Sequence, residues 1–255
     1  MPNIQFFKYN NFSLRPDNWD TVKLENLIKV LESVVDAFYL SLDQQKINKR
    51  AVQIHHSSTR NPPINNPRTE EWDEYFVIYL SSVDKLWCKY SYQFAHELCH
   101  FIANTNSHKK VDRFGWLEES VCELASLFTL KKMSETWKVN PPYDNWREYS
   151  GHLNNYAENY LQAEERKINI PFKKWLADNL EILYRDRYDR EKNNVIAVFL
   201  YPLFIEIPEL WKTIQYLKEI DVSEKMNLKN FLEEWKQKLP DDLQKKFLKI
   251  QELFS

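Results

Sequence analysis

Glycine is almost missing from this sequence, with 2 residues in 255, where about 18 would be usual. The phosphate-binding loops of P-loop and dinucleotide-binding proteins need several glycines, because their backbone must approach a phosphate closely. The composition therefore excludes both kinds of nucleotide site. Turns must depend on Asn, Asp and Pro instead, and these are plentiful.

Cysteine is also scarce, and no single sign of charge dominates. An odd count of 3 cysteines does not suggest a disulfide framework, so we interpret Cys88, Cys99 and Cys122 as small buried residues. Lys and Arg total 35 and Asp and Glu total 37, which leaves a net charge of −2. Because the basic residues are dispersed along the chain, the sequence favours no nucleic-acid partner.

Long hydrophobic runs are absent as well. The longest apolar run, 195–205, is interrupted by Pro202, whereas a membrane span needs about 20 residues. The first residues do not combine a basic segment with an apolar run, as a signal peptide would. We therefore expect no membrane partner and a cytoplasmic location.

The sequence does contain an H-E-x-x-H motif, His96-Glu97-Leu98-Cys99-His100. Residues four apart share one face of a helix, so His96 and His100 can point at one metal ion. The flanking segments 91–95 and 101–103 contain neither Pro nor Gly, as a helix requires. On a helix, this pattern is the signature of zinc hydrolases, with Glu97 within reach of a metal-bound water.

A catalytic zinc needs a third protein ligand and one open position. Trp116-Leu117-Glu118-Glu119 follows His100, with 18 residues between His100 and Glu119. The segment 119–130 is predicted to be helical, with Gly115 in the turn before it. The H-E-x-x-H motif, this gap and W-L-x-E together resemble the gluzincin zinc peptidases, over residues 90–130. The resemblance implies one zinc ion with His96, His100 and Glu119 as ligands, and Glu97 as the general base.

Two further roles are implied by the resemblance. Thermolysin-type gluzincins have a carboxylate one turn after the third ligand, which accepts a hydrogen bond from a ligand histidine and orients its ring. Glu123 stands at that offset. Gluzincins also supply a Tyr or His that stabilises the tetrahedral oxyanion. Candidates are Tyr149, His152, Tyr156, Tyr160, Tyr184 and Tyr188. Of these we favour His152, next to Gly151, which can allow close approach of another element.

The segment 75–81 is rich in β-branched and aromatic residues and is predicted to be a strand. In gluzincin folds an edge strand before the first metal helix binds an extended peptide by strand addition. The resemblance implies this role for the segment, with Tyr75, Val77 and Tyr79 as substrate-binding residues; an ordinary core strand is the alternative. No G-x-M-x-N strand is present, so aminopeptidase specificity is not implied.

The expected fold is α+β, with a small, mostly antiparallel sheet, an active-site helix beneath it and an all-α C-terminal half. Asp20 is a candidate N-cap for a first helix over 21–42. Pro141-Pro142 suggests a boundary between a catalytic half, 1–140, and a helical half, 141–255, that closes the cleft. Helices in the second half are predicted at 146–166, 172–184, 190–205, 209–219, 224–238 and 241–253.

These patterns together predict a zinc-dependent metallopeptidase, an enzyme acting on a peptide or protein substrate. One alternative is a catalytically inactive, zincin-like binding protein that keeps the metal shell for shape or stability. Another is a regulatory peptidase with a single protein target, similar to the ImmA-type peptidases that cleave repressors. The matching part for that family would be 119–126, which is a loose fit.

Overall fold

The protein has an α+β fold, as predicted, in a computed structural model that describes residues 3–6, 8–103 and 113–254. The strands are β1 (Ile4–Gln5), β2 (Phe12–Leu14), β3 (Ala51–His56), β4 (Arg68–Glu71) and β5 (Tyr75–Leu80). The α-helices are α1 (Leu24–Tyr39), α2 (Trp87–Ala103), α3 (Gly115–Val139), α4 (Tyr149–Leu161), α5 (Phe172–Arg185), α6 (Arg190–Glu206), α7 (Leu228–Lys238) and α8 (Asp241–Phe254).

The sheet is mixed, so the prediction of a mostly antiparallel sheet is wrong. Its strand order is β1-β2-β3-β5-β4. The outer pairs β1–β2 and β4–β5 are antiparallel, whereas β2–β3 and β3–β5 are parallel. Parallel neighbours need a long crossover connection, and α1 lies in the crossover from β2 to β3. This crossover is not evident from the sequence, because β2 is only 3 residues long.

Helix α1 confirms the predicted first helix, and it has an apolar face with helical spacing that is buried. Its ends differ from the prediction of 21–42. Lys23 is the N-cap residue and its side chain makes no capping hydrogen bond. Asp20 is not the cap, because it adopts a left-handed conformation (φ 52°) in the turn before the helix. A residue with a positive φ is most often glycine, and in this glycine-poor chain Asp20 adopts that conformation instead.

Helix α2, which carries the H-E-x-x-H motif, packs on the sheet through two aromatic residues. The rings of Phe94 and Phe101 lie 6.3 and 6.2 Å from that of Phe12 on β2. Phe101 also contacts Phe76 on β5, with ring centroids 5.1 Å apart. Edge-to-face contacts of this kind add to the hydrophobic stabilisation and restrict the orientation of the helix. The motif therefore stands on an element fixed by the core.

Helix α3 is longer than the predicted run 119–130, and its first sixteen residues are nearly all buried. Gly115 is its first residue rather than a turn residue with a special conformation, since no glycine has a positive φ among the described residues. Every residue over 115–130 is buried except Glu118 and Glu119. A helix that is apolar on all sides is typical of a protein interior. Two partly exposed carboxylates in such a helix call for a specific explanation.

The chain divides into two compact units. The first comprises Met1–Leu40, Asn48–Phe101 and Ala125–Glu158, and the second comprises Ser41–Ile47, Ile102–Leu124 and Asn159–Ser255. The predicted boundary after residue 140 falls inside the first unit. One reason is that α4 is bound to the second half of α3, where Ser134 Oγ donates to the Ser150 carbonyl at 2.8 Å. Lys131 Nζ also donates to Asn154 Oδ1 at 2.7 Å.

The second unit is built from helices close to those predicted. The segment predicted as a helix over 209–219 is a 3₁₀ helix, Pro208–Glu219, and α7 begins at Leu228 with Asn227 as its N-cap. Trp235 of α7 donates from its indole nitrogen to the Thr213 carbonyl at 2.9 Å and packs on Phe247 of α8. None of the described helices has both the length and the apolar character needed to cross a membrane.

Gly151 lies in the first turn of α4 and does not permit a close approach, contrary to the prediction. It is exposed, and a β-carbon built on it meets no atom within 4 Å. No close contact therefore requires a glycine at this position. It retains only the conformational cost of glycine in a helix.

Replacing Gly151 with Ala should stabilise the protein by about 0.5–1 kcal/mol, because the unfolded chain loses freedom while the helix gains no clash. The measurement is the free energy of unfolding in denaturant. Asn155→Ala, at an exposed position of the same helix, is the matched control and should gain no more than about 0.7 kcal/mol from propensity alone. A loss of stability in Gly151→Ala would contradict this account of α4.

Candidate metal centre

One face of α2 carries both motif histidines. Over 90–103, only Tyr92, His96 and His100 are partly exposed, and they recur every four residues. All other residues of this stretch are buried, as packing on the sheet requires. The rings of His96 and His100 lie 5.1 Å apart. The helix thus presents two imidazoles side by side, as the i, i+4 spacing predicts.

The carboxylate of Glu119 completes a group with these imidazoles. His96, His100 and Glu119 each offer one ligand atom, and these atoms lie within 4.8 Å of one another. The part of the chain that the structure describes contains one such group. Two ring nitrogens and a carboxylate oxygen form a donor set suited to a divalent transition metal, and three protein ligands leave a position for water or substrate. The group can hold a metal ion, and all three predicted ligands belong to it.

Glu97 follows His96 in the sequence but is itself buried, with 3% of its surface exposed. Thr69 Oγ1 donates to Glu97 Oε2 at 2.6 Å. A short hydrogen bond from a hydroxyl to a carboxylate fixes the carboxylate without neutralising its charge. Glu97 is therefore held in one orientation by a residue of β4.

The segment 75–81 is not an edge strand, and this correction changes the predicted substrate strand. Strand β5, which covers 75–80, pairs with β3 on one side and with β4 on the other. Tyr75, Val77 and Tyr79 thus belong to an inner strand. The outer strand on this side of the described sheet is β4, which follows a stretch rich in Pro and Asn. β4 is also the strand whose Thr69 contacts Glu97.

Glu123 forms a buried ion pair with Arg166. Arg166 Nη2 donates to Glu123 Oε1 at 3.0 Å, and the two side chains are 3% and 7% exposed. The Arg166 guanidinium also lies 4.6 Å from the ring centre of Tyr160. Burial raises the pKa of Glu123, and the facing guanidinium opposes that shift. The predicted hydrogen bond from a ligand histidine to Glu123 stays a prediction.

Glu119 also faces an arginine. Arg187 Nη2 lies 3.0 Å from Glu119 Oε1 and 3.7 Å from Glu118 Oε2. Both glutamate side chains are 12% exposed, and Arg187 is 23% exposed. A single guanidinium therefore faces two carboxylates at the start of α3, and it compensates only part of their negative charge.

His152, the predicted oxyanion donor, is an exposed residue of α4. Its ring lies 5.1 Å from that of Tyr149, whose hydroxyl in turn contacts the Cys88 thiol at 3.5 Å. Burial is the main reason that the pKa of Tyr149 is raised. The role assigned to His152 stays a prediction.

Three residues around the site were missed by the sequence reading: Thr69, Arg166 and Arg187. Each lies 28 or more positions from the glutamate that it contacts. No local pattern links residues so far apart, and one Thr and two Arg carry no motif of their own. The only signal was indirect, since buried or half-buried carboxylates require partners.

Comparison with known proteins yields no match to any family model, curated protein or solved structure.

Replacing Arg166 with Met removes the guanidinium from a buried carboxylate. We expect a loss of about 3–5 kcal/mol in the free energy of unfolding near pH 7, the usual cost of breaking a buried pair. The pKa of Glu123, already raised by burial, rises further without the guanidinium. The folded protein then binds a proton that the unfolded chain has released, so stability falls as the pH rises above the ordinary carboxyl pKa.

Denaturant unfolding of Arg166→Met near pH 4 and near pH 7 checks this expectation. The destabilisation should be smaller at the acid value, where both states carry the proton. The double variant Arg166→Met/Glu123→Gln is the control and should lose this pH dependence. An equal loss of stability at both values would contradict the ion-pair explanation.

Proposed function

We propose that this protein is a zinc-dependent metallopeptidase with one zinc ion held by His96, His100 and Glu119. The observation that carries the proposal is the convergence of these three ligand atoms within 4.8 Å. An accidental H-E-x-x-H motif would give no reason for a third ligand, of the right type, to lie beside it. The composition of the group, two imidazoles and one carboxylate, is that of catalytic zinc sites in peptidases.

The position of Glu97 supports hydrolysis rather than a structural metal site. It immediately follows the ligand His96 in sequence and is buried, so its carboxylate is shielded from bulk water. When bound, zinc supplies a water of lowered pKa and polarises the scissile carbonyl. Glu97 accepts the proton of the attacking water at its carboxylate and delivers it to the nitrogen of the leaving amine. Thr69 keeps the carboxylate oriented throughout.

The outer strand β4 supports an extended peptide as the substrate. An outer strand has backbone N–H and C=O groups that can pair with an added strand. Thr69 lies in the middle of β4 and contacts Glu97, so a peptide paired with β4 would run beside the general base. We propose β4, in place of the inner strand β5, as the strand that binds substrate.

Metal analysis of single variants tests the zinc site. Purified wild type should contain about one zinc per chain, since three protein ligands suffice for a catalytic site. Glu119→Gln should lose the metal, because an amide is a poor zinc ligand, whereas Glu118→Gln, at the neighbouring carboxylate outside the ligand group, should retain it. Zinc-free wild type, or equal zinc in these two variants, would refute the ligand assignment.

Glu97→Gln separates catalysis from metal binding. This variant should keep its zinc but lose peptide hydrolysis by roughly 10²–10⁴-fold, the usual contribution of general acid–base catalysis. The assay is cleavage of a mixture of synthetic peptides, with products identified by mass spectrometry. If zinc-loaded wild type and Glu97→Gln cleave equally, the peptidase mechanism is wrong even where the metal site is right.

Thr69→Val should lower kcat/KM by roughly 10–100-fold at unchanged zinc content, because a hydrogen bond to a charged group contributes about 1.5–3 kcal/mol. Val keeps the shape of Thr and removes only the hydroxyl donor. Thr69→Ser is the matched control, since it retains the hydroxyl and should restore most of the activity. Equal activity of the Val and Ser variants would show that the hydroxyl does not position Glu97.

A further inference from the structure

Arg187 is held in place by its own surroundings, independently of its contact with Glu119. It lies in the short connection between α5 and α6. Asp186 ends α5, where its N–H donates to the Ile182 carbonyl at 2.9 Å. Asp189 begins α6, where its side chain accepts from the Lys192 N–H at 3.2 Å. A short connection capped at both ends leaves the backbone of Arg187 little freedom.

A second contact ties this connection to α3. The carbonyl of Arg187 accepts a hydrogen bond from Asn193 Nδ2 at 2.7 Å. Asn193 Oδ1 accepts from the hydroxyl of Ser120 at 3.3 Å. Ser120 directly follows Glu119 and is fully buried, and Asn193 is buried as well. The backbone of Arg187 is thus fixed to the same turn of α3 that its side chain reaches.

We infer that Arg187 is a positioning residue for the third metal ligand, because it holds the Glu119 carboxylate in one orientation. The inference rests on the proposed function. Arg187 Nη2 donates to Glu119 Oε1 at 3.0 Å, so the guanidinium fixes the rotamer of the carboxylate.

The fixed orientation of Glu119 has a consequence for metal binding. Partners that hold a ligand in this way also fix its rotamer before the metal arrives, which raises metal affinity.

The positive charge of Arg187 acts in the opposite direction, because it repels a cation. Glu118, with its Oε2 3.7 Å from Arg187 Nη2, offsets part of that charge. The orientation of Glu119 should therefore outweigh the repulsion. Removal of Arg187 is therefore expected to weaken metal binding.

Arg187→Gln should bind zinc roughly 10–100-fold more weakly than wild type in a competition titration with a chelator, the usual effect of removing such a partner. Arg187→Lys retains a donor and a positive charge, and should restore part of the affinity. Arg185→Gln, which removes the same charge at an exposed position two residues away, should match wild type.

Asn193→Ala provides a second route, because it loosens the backbone of Arg187 without altering the guanidinium. It should reduce zinc affinity in the same direction as Arg187→Gln but less. An unchanged zinc affinity in Arg187→Gln would overturn the inference alone, as would tighter binding, which would mean that repulsion dominates. Wild type that binds no zinc would overturn the proposed function and, with it, this inference.

Discussion

The convergence of two imidazoles on α2 with one carboxylate on α3 is the constraint on which the site depends. Neither helix could achieve it alone, since the i, i+4 spacing supplies two ligands and no more. The packing of each helix fixes the direction in which its side chains point. Phe94 and Phe101 hold α2 on the sheet. The stretch 115–130 of α3 is buried except at Glu118 and Glu119, so the helix has almost no freedom to rotate about its axis.

The three acidic residues of the site differ in their partners, and this difference gives them different chemistry. Glu97 receives a hydroxyl, which orients the carboxylate and leaves its charge available for a proton. Glu123 receives a buried guanidinium, which neutralises it and suits a structural role. Glu119 shares its guanidinium with Glu118, so part of its charge remains for a cation. Three glutamates within 27 positions of one chain thus have three different kinds of surroundings, and the proposed roles of base and ligand fall to the two without a buried guanidinium.

Features set by local sequence could be predicted, and features set by distant contacts could not. The motif and the absence of Pro and Gly beside it indicated the helix around His96, and the motif with its spacing indicated the group of His96, His100 and Glu119 that the structure brings together. The partners Arg166 and Arg187 come from separate segments that carry no pattern of their own. The mixed sheet was missed for a related reason. A 3-residue strand such as β2 is too short for alternation to reveal, yet its parallel pairing with β3 decides the topology.

The error over the edge strand has an instructive physical cause. Strand β5 is apolar and aromatic, which made it easy to recognise as a strand, but such a composition suits a strand covered on both sides. Strand β4 contains Arg68, Glu70 and Glu71 around Thr69, so it lacks the apolar alternation by which a strand is recognised in a sequence. Charged side chains are typical of an outer strand, because they discourage indiscriminate pairing with other sheets. The composition that obscures β4 in the sequence is thus that of an outer strand, and Thr69 brings this strand to Glu97.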